Sequence, residues 1–330
     1  MRAETSLVLA LLATSCGGGS SPEKPGGEEI VIAVIPKGTT HSFWKAIHAG
    51  AVKASKELEV EVLWKGPARE DDREAQVAEV ENFVSRGVSG IVLAPTDDKA
   101  LRLPVSDAKR AGIPVVIIDS GLDSDEYVSF VATDNYQGGR LAGERMVETL
   151  GGNGRVVLFR YMEGSASTME RERGFLDRME ESPGMEVVSS NQYAGATAET
   201  AYQASENLLA RFESENGSVQ LDGIYCPNES SSFGMLRALQ DAGLAGKVTL
   251  IGFDASEQMV RALENGEFDA LVLQDPVNMA YLGVKTMVSH LRGEEVPEQI
   301  DTGVTLATRD NMNDPKIAEL LRPDIDRWLN

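Results

Sequence analysis

The chain has 330 residues, 42% of them hydrophobic and 25% charged, a globular balance with room for two or three domains. Lys and Arg number 31 against 52 Asp and Glu, leaving a formal net charge of −21. No local basic stripe offsets it, which excludes general nucleic-acid binding, and two cysteines exclude a disulfide framework.

The first apolar stretch, SLVLALLATSC, is shorter than the ~20 residues a membrane-spanning helix needs. It fits the core of a secretory signal over residues 1–15. Ala13, Thr14 and Ser15 before Cys16 resemble the lipobox of bacterial lipoproteins, which implies lipid attachment at Cys16. Only Arg2 precedes the apolar core, offset by Glu4, and the usual Leu three before the cysteine is missing. A plain secretory signal is the competing reading. Residues 16–28 are rich in Gly, Ser and Pro and suit a flexible leash; the folded body is expected from Glu29.

From Ile30 short apolar runs alternate with helical patterns. The runs are IVIAVI, VEVLW, GIVLAP, PVVIID, YVSFVATD, RVVLFRY, MEVVSS, GIYCPN, KVTLIGFD and FDALVLQD. Several are nearly continuous in Val, Ile and Leu, as parallel strands covered on both faces are. Amphipathic stretches from Ser42 to Leu58 and from Asp71 to Arg86 are helices on this reading. The alternation predicts an α/β protein with parallel sheets. A long internal echo adds that there are two lobes of similar build: GIVLAPTDDKAL is matched by GIYCPNESSSFGML, and the strand ending at Asp119 by the one ending at Asp254. Cys226, inside an apolar run, reads as a core residue.

Ligands of open α/β sheets bind outside the carboxyl ends of the strands. Read to their exits, the runs deliver His41, Phe43 and Trp44, then Thr96 and Asp97, Asp119, Asp134 and Asn135, Asn228, Asp254, and finally Gln274 and Asp275. Asn135 and Thr96 also suit helix caps. Carboxylates and amides facing each other across a cleft pair with vicinal hydroxyls, and Phe43 and Trp44 could cover the apolar face of a sugar ring. No phosphate loop, dinucleotide fingerprint, HExxH or nucleophile elbow accompanies them in the body of the chain. No cofactor, metal site or enzymatic activity is expected.

Taken in order, IVIAVIPKGTTHSFW, PTDDKAL, PVVIIDS, ATDNYQGGRLAG, RERGF, GIYCPNE, LIGFDAS and LQDP resemble the ribose-type branch of periplasmic sugar-binding proteins. These are solute receptors of ABC importers, related to the sensing domain of LacI-type repressors. The resemblance implies the type I periplasmic binding protein fold, two Rossmann-like lobes with parallel sheets joined by a three-segment hinge. It implies crossings near Thr133, Pro276 and Gly303, a first lobe of residues 29–132 plus 276–302, and a second of 133–275 plus 303–330. Sugar contacts carry over to His41, Phe43, Trp44, Asp119, Arg171, Asn228, Asp254 and Gln274, with Asn135 in the crossover segment lining the cleft or hinge.

The chain departs from the pattern at His41, where ribose receptors have Asn, and at Ser120, where they have Arg. The second lobe's aromatic falls near Ala196, with Tyr193 close enough to substitute. These changes point away from ribose toward a different or larger monosaccharide. The implied partner is an ABC permease of the inner membrane; a chemoreceptor or sensor kinase is the alternative. A monomeric lipoprotein at the periplasm or cell surface is expected. A LacI-type regulator would need an N-terminal helix-turn-helix, for which the leader is too short and too apolar.

Overall fold

All ten apolar runs form strands, in a computed structural model that describes residues 29–214 and 219–330. The signal segment 1–15, Cys16 and the leash 16–28 lie outside the described residues. Along the chain run β1 (Val31–Ile35), α1 (Ser42–Leu58), β2 (Glu61–Trp64), α2 (Arg73–Arg86), β3 (Gly90–Leu93), α3 (Arg102–Arg110), β4 (Val115–Ile118) and β5 (Ser129–Ala132). The plan then repeats with α4 (Asn135–Thr149), β6 (Gly154–Arg160), α5 (Ala166–Glu180), β7 (Met185–Tyr193), α6 (Ala198–Ala210), β8 (Gly223–Tyr225), α7 (Glu229–Asp241), β9 (Thr249–Phe253), α8 (Glu257–Glu264) and β10 (Ala270–Leu273). Last come α9 (Pro276–Leu291), β11 (Gln299–Asp301), β12 (Thr305–Thr308), α10 (Pro315–Leu321) and α11 (Asp326–Leu329).

Two six-stranded sheets result, ordered β2-β1-β3-β4-β5-β11 and β7-β6-β8-β9-β10-β12. The two orders are the same permutation, and β12 alone pairs antiparallel, with β10. Strand alternation explains the continuous apolar runs. Ile32 and Val34 enter the core under α1 and α9, while Ala33 and Ile35 enter the one under α2 and α3. Both faces are therefore apolar, and each fully buried aliphatic side chain contributes about 1.5–3 kcal/mol. The same division recurs in the second sheet. Strands β11 and β12 carry no long apolar run, and nothing in their sequences announces them.

The chain passes between the two layers after β5, after β10 and between β11 and β12. The first and third passages lie side by side: Thr302 N–H donates to Ala132 O at 3.0 Å, and Thr133 Oγ1 donates to Gly303 O at 3.2 Å. After the second passage α9 returns to the first layer, packing among Ile47, Val92 and Ile118.

The end of the chain departs from expectation. Residues 303–330 as a block belong to the second lobe on the sequence reading, and Leu321 of α10 does pack into that lobe's core. Pro323 then ends the helical direction, and α11 lies on α1 of the first lobe. There Lys56 Nζ donates to Trp328 O at 3.3 Å and stands 5.6 Å from the Trp328 ring. A C-terminal strap thus joins the lobes, which neither internal repeat nor apolar pattern could encode.

Candidate functional site

The two strand exits that echo each other in sequence share an unusual backbone. Asp119 after β4 has φ 62° and Asp254 after β9 has φ 67°, a left-handed conformation that non-glycine residues seldom adopt. Such strain gathers at functional sites. Each turn swings a buried carboxylate into the space between the lobes. Asp119 Oδ2 lies 2.8 Å from Lys37 Nζ, while Asp254 Oδ1 accepts from Gln274 Nε2 at 2.7 Å. Burial raises the Asp254 carboxyl to about 6 even though Arg171 and Gln274 act to lower it.

Across from Asp254 stands the start of α1. Phe43 and Trp44 meet edge to face, with centroids 4.9 Å apart, and both line the cleft while anchoring the first lobe's core. Beside them a carboxylate missed by the sequence reading, Glu70, collects three donors. His41 Nδ1 is 2.6 Å from its Oε1, Trp44 Nε1 donates to the same oxygen at 2.8 Å, and Tyr161 Oη donates to Oε2 at 2.8 Å. Burial lowers the His41 imidazole, but the bond and charge of Glu70 prevail and raise it to about 9. Burial likewise favours protonated Glu70, yet His41, Lys37 and Trp44 hold it down at about 2.

The pair has a definite pH signature. His41 gains affinity for its proton on folding, so its stabilisation is complete below 6.5 and is lost as pH rises through about 9. Glu70 contributes fully above 4.5 and loses its contribution as pH falls through about 2. Scanning calorimetry should show the melting temperature falling through about pH 9, with His41→Gln flattening that limb. An identical alkaline fall in the variant would remove the pair as its cause.

Arg171, on α5, is buried. Its Nε donates to Asn135 Oδ1 at 2.8 Å and its Nη1 to Pro227 O at 2.9 Å. The guanidinium stands 3.8 Å from the Phe253 ring centroid and 4.0 Å from Asp254 Oδ2. Asn135 completes this wall from behind, donating to Asp119 O at 3.3 Å. The strand-exit residues Thr96, Asp97, Asp134 and Asp275 do not line the cleft. Of the ligand contacts expected from the resemblance, Asn135 alone stays out of it and instead orients Arg171. Nor does it cap α4, since Asp134 accepts from Gln137 N. Thr96 donates to Gln76 Oε1, and is no cap either.

His41, Phe43, Trp44, Asp119, Arg171, Asn228, Asp254 and Gln274 share one cleft, joined by Lys37, Glu70, Ser165, Ser167, Thr168 and Glu229. Asn228 also caps α7 through Ser231 N. Gln274 Oε1 is buried and, among the described residues, accepts no hydrogen bond. Lys37 Nζ reaches across to Ser167 Oγ at 3.1 Å, and Ser120 Oγ accepts from Ser167 N at 3.1 Å. Ser120, a departure from the family pattern in sequence, therefore ties the two lobes together. Tyr193 is 43% exposed and binds Glu163, so it does not supply the second lobe's aromatic; Tyr161 is the aromatic that bonds into the cleft network.

Lys37 sits in the loop PKGTT and Glu229 directly follows Asn228, so position alone could have found both. Nothing in GPAREDD separates Glu70 from its acidic neighbours. The space left between these side chains is about 20 Å³, close to one water. A cavity of about 460 Å³ adjoins it, sharing Phe43, Asp254 and Gln274 and walled by Leu320, Leu321 and Pro323 of the strap. Among the described residues no cluster of His, Cys, Asp and Glu could hold a metal ion, and no helix is long and apolar enough to cross a membrane.

Residues 32–295 match the family described as a periplasmic binding protein domain. The chain is 30% identical to the ribose import binding protein RbsB of Haemophilus influenzae over 91% of its own length and 96% of the relative's. It is 29% identical to the D-ribose/D-allose-binding protein of Pseudomonas aeruginosa, over 90% of this chain and 94% of that one. Among solved structures, a carbohydrate transporter solute-binding protein of Agrobacterium radiobacter in complex with D-arabinose is 35% identical, with a TM-score of 0.84 covering 90% of this chain and all of that one. An ABC transporter solute-binding protein of Agrobacterium vitis with bound D-fucose is also 35% identical, with a TM-score of 0.83 over 88% of this chain and all of that one.

Proposed function

The chain belongs to the periplasmic binding protein family, and from that premise we propose that its cleft captures a monosaccharide between Asp119, Arg171, Asn228, Asp254 and Gln274. It is an extracytoplasmic sugar-binding protein of an ABC importer, a receptor and not an enzyme. The observation that carries the site assignment is the pair of strained aspartates, Asp119 and Asp254, aimed from matched strand exits of the two lobes into one cleft.

Binding follows from hinge motion. A monosaccharide needs far more than 20 Å³, so it enters with the lobes apart, and only their closing lets both lobes contact it. Hydroxyls then replace the protein's internal partners. Gln274 Oε1 offers an acceptor with no partner among the described residues, and the Phe43 and Trp44 rings offer an apolar face. An epimer that leaves one buried carboxylate or amide unmatched costs about 1–3 kcal/mol. Ser120 and His41 argue against ribose.

The finer organisation is part of this reading. Residues 1–15 are a signal segment, Cys16 carries the lipid, residues 16–28 are the leash, and the receptor acts as a monomer. The lobes are 29–132 with 276–302 and 133–275 with 303–330, the last helix of the second reaching back onto the first. The apolar core before Ala13, Thr14, Ser15 and Cys16 supports the anchor.

Thermal melts with D-arabinose, D-fucose, D-ribose and D-allose test the ligand class. A true ligand at 100 times its Kd adds about 2.7 kcal/mol of stability and raises the melting temperature accordingly. We expect D-fucose or D-arabinose to exceed D-ribose. Melts unmoved by any of the four would overturn the proposal.

A further inference from the structure

We infer that Glu229 is the closing contact of the clamp: a carboxylate on the second lobe that caps the first helix of the other lobe when the two come together. The inference rests on the hinged-cleft reading above and assigns the residue that holds the shut state. Ser42 N–H donates to Glu229 Oε1 at 3.0 Å and Phe43 N–H to Oε2 at 2.9 Å. Both donors belong to the first turn of α1, in the first lobe, whereas Glu229 opens α7 in the second.

Three features make this contact more than incidental. A helix leaves its first four N–H groups without internal partners, and α1 has 17 residues of aligned peptides behind them. His41, at the cap position of α1, makes no side-chain cap bond of its own, its ring being committed to Glu70. α7, by contrast, is already capped by Asn228 and Ser231 in a reciprocal box, so Glu229 is free to serve another helix. The carboxylate is therefore the missing cap of α1, delivered from across the cleft.

Charge-assisted bonds to backbone N–H groups are roughly twice as strong as neutral ones, and this pair uses both carboxylate oxygens. Other bonds cross between the lobes as well. Asp98 N–H to Gly164 O, at 2.9 Å, and Ser167 N–H to Ser120 Oγ, at 3.1 Å, are neutral. Lys37 Nζ to Ser167 Oγ, at 3.1 Å, and Arg73 Nη2 to Glu163 O, at 2.8 Å, have a charged donor but do not cap a helix. Tyr161 meets a Glu70 already committed to His41 and Trp44. When the lobes part, water takes over both the carboxylate and the two N–H groups. Closing on the sugar and capping α1 are then one event, which makes Glu229 a positioning residue for capture.

Small-angle scattering of the full chain, wild type against Glu229→Gln and Glu229→Ala, tests this without sugar. Both variants should have a larger radius of gyration, and formate, which can refill the space between the two N–H groups in Glu229→Ala, should shrink it again. Calorimetric affinity for D-arabinose should fall about tenfold in Glu229→Ala. Equal radii in all three proteins, with no response to formate, would overturn the inference. The scattering arm uses no sugar, so a wild type that ignores D-arabinose counts against the sugar reading alone.

Discussion

Arg171→Ala is expected to abolish sugar binding and to lower the stability of the fold by about 3–5 kcal/mol, the usual cost of removing one partner of a buried charged pair. The guanidinium is 2% exposed and serves four neighbours at once: Asn135, Pro227, the Phe253 ring and Asp254. Its loss strands Asn135 Oδ1 and Pro227 O and leaves Asp254 without its cation, so the Asp254 carboxyl rises further above about 6. Arg171→Lys keeps the charge but not the planar fork, and should recover stability more than affinity. Urea melts and titration calorimetry on the same preparations separate the two effects. A variant with wild-type stability would show that the buried network is dispensable.

The second large effect comes from Gly139→Val, which meets the cleft residue Arg171 through its backbone and not through its guanidinium. A Cβ at Gly139 would stand 1.9 Å from the carbonyl oxygen of Arg171, and one at Gly174 would stand 2.1 Å from Tyr136 O. Helices α4 and α5 therefore approach backbone to backbone, and neither partner is a flexible side chain that could yield. Overpacking usually costs about 1–3 kcal/mol, and with rigid backbone on the far side about 3 kcal/mol or more is expected. The valine also pushes away the turn of α5 that carries Arg171, so affinity should fall with stability. Retained sugar affinity in a folded Gly139→Val protein would show that the helix spacing does not set the position of the guanidinium.

The two mutations mark where reading from sequence stops. RERGF identifies Arg171 through its place in a family pattern, and on that pattern it is a ligand contact whose removal the fold survives. Its bonds to residues 135 and 227 lie 36 and 56 positions away and have no local signature. Asn135 shows the same limit from the other side: a polar residue at a strand exit looks like a site residue, and the structure uses it to hold one. Lys37 and Glu229 could have been found because they lie in exits already under scrutiny. Glu70 could not, since only the folding of its loop against His41, Trp44 and Tyr161 distinguishes it from the acids around it.

Local chemistry was enough for the rest. Runs of Val, Ile and Leu can be buried on both faces only in covered parallel strands, and a repeat of strand, polar exit and helix dictates two lobes with the same strand order. Asp119 and Asp254 were legible as equivalents because each ends such a run. Which charges pair, that Ser120 and Glu229 bridge the lobes, and that α11 returns to α1 depend on groups meeting from distant parts of the chain. Those choices belong to tertiary structure, because hydrogen bonds and ion pairs act over a few ångströms while the residues that form them stand dozens to hundreds of positions apart.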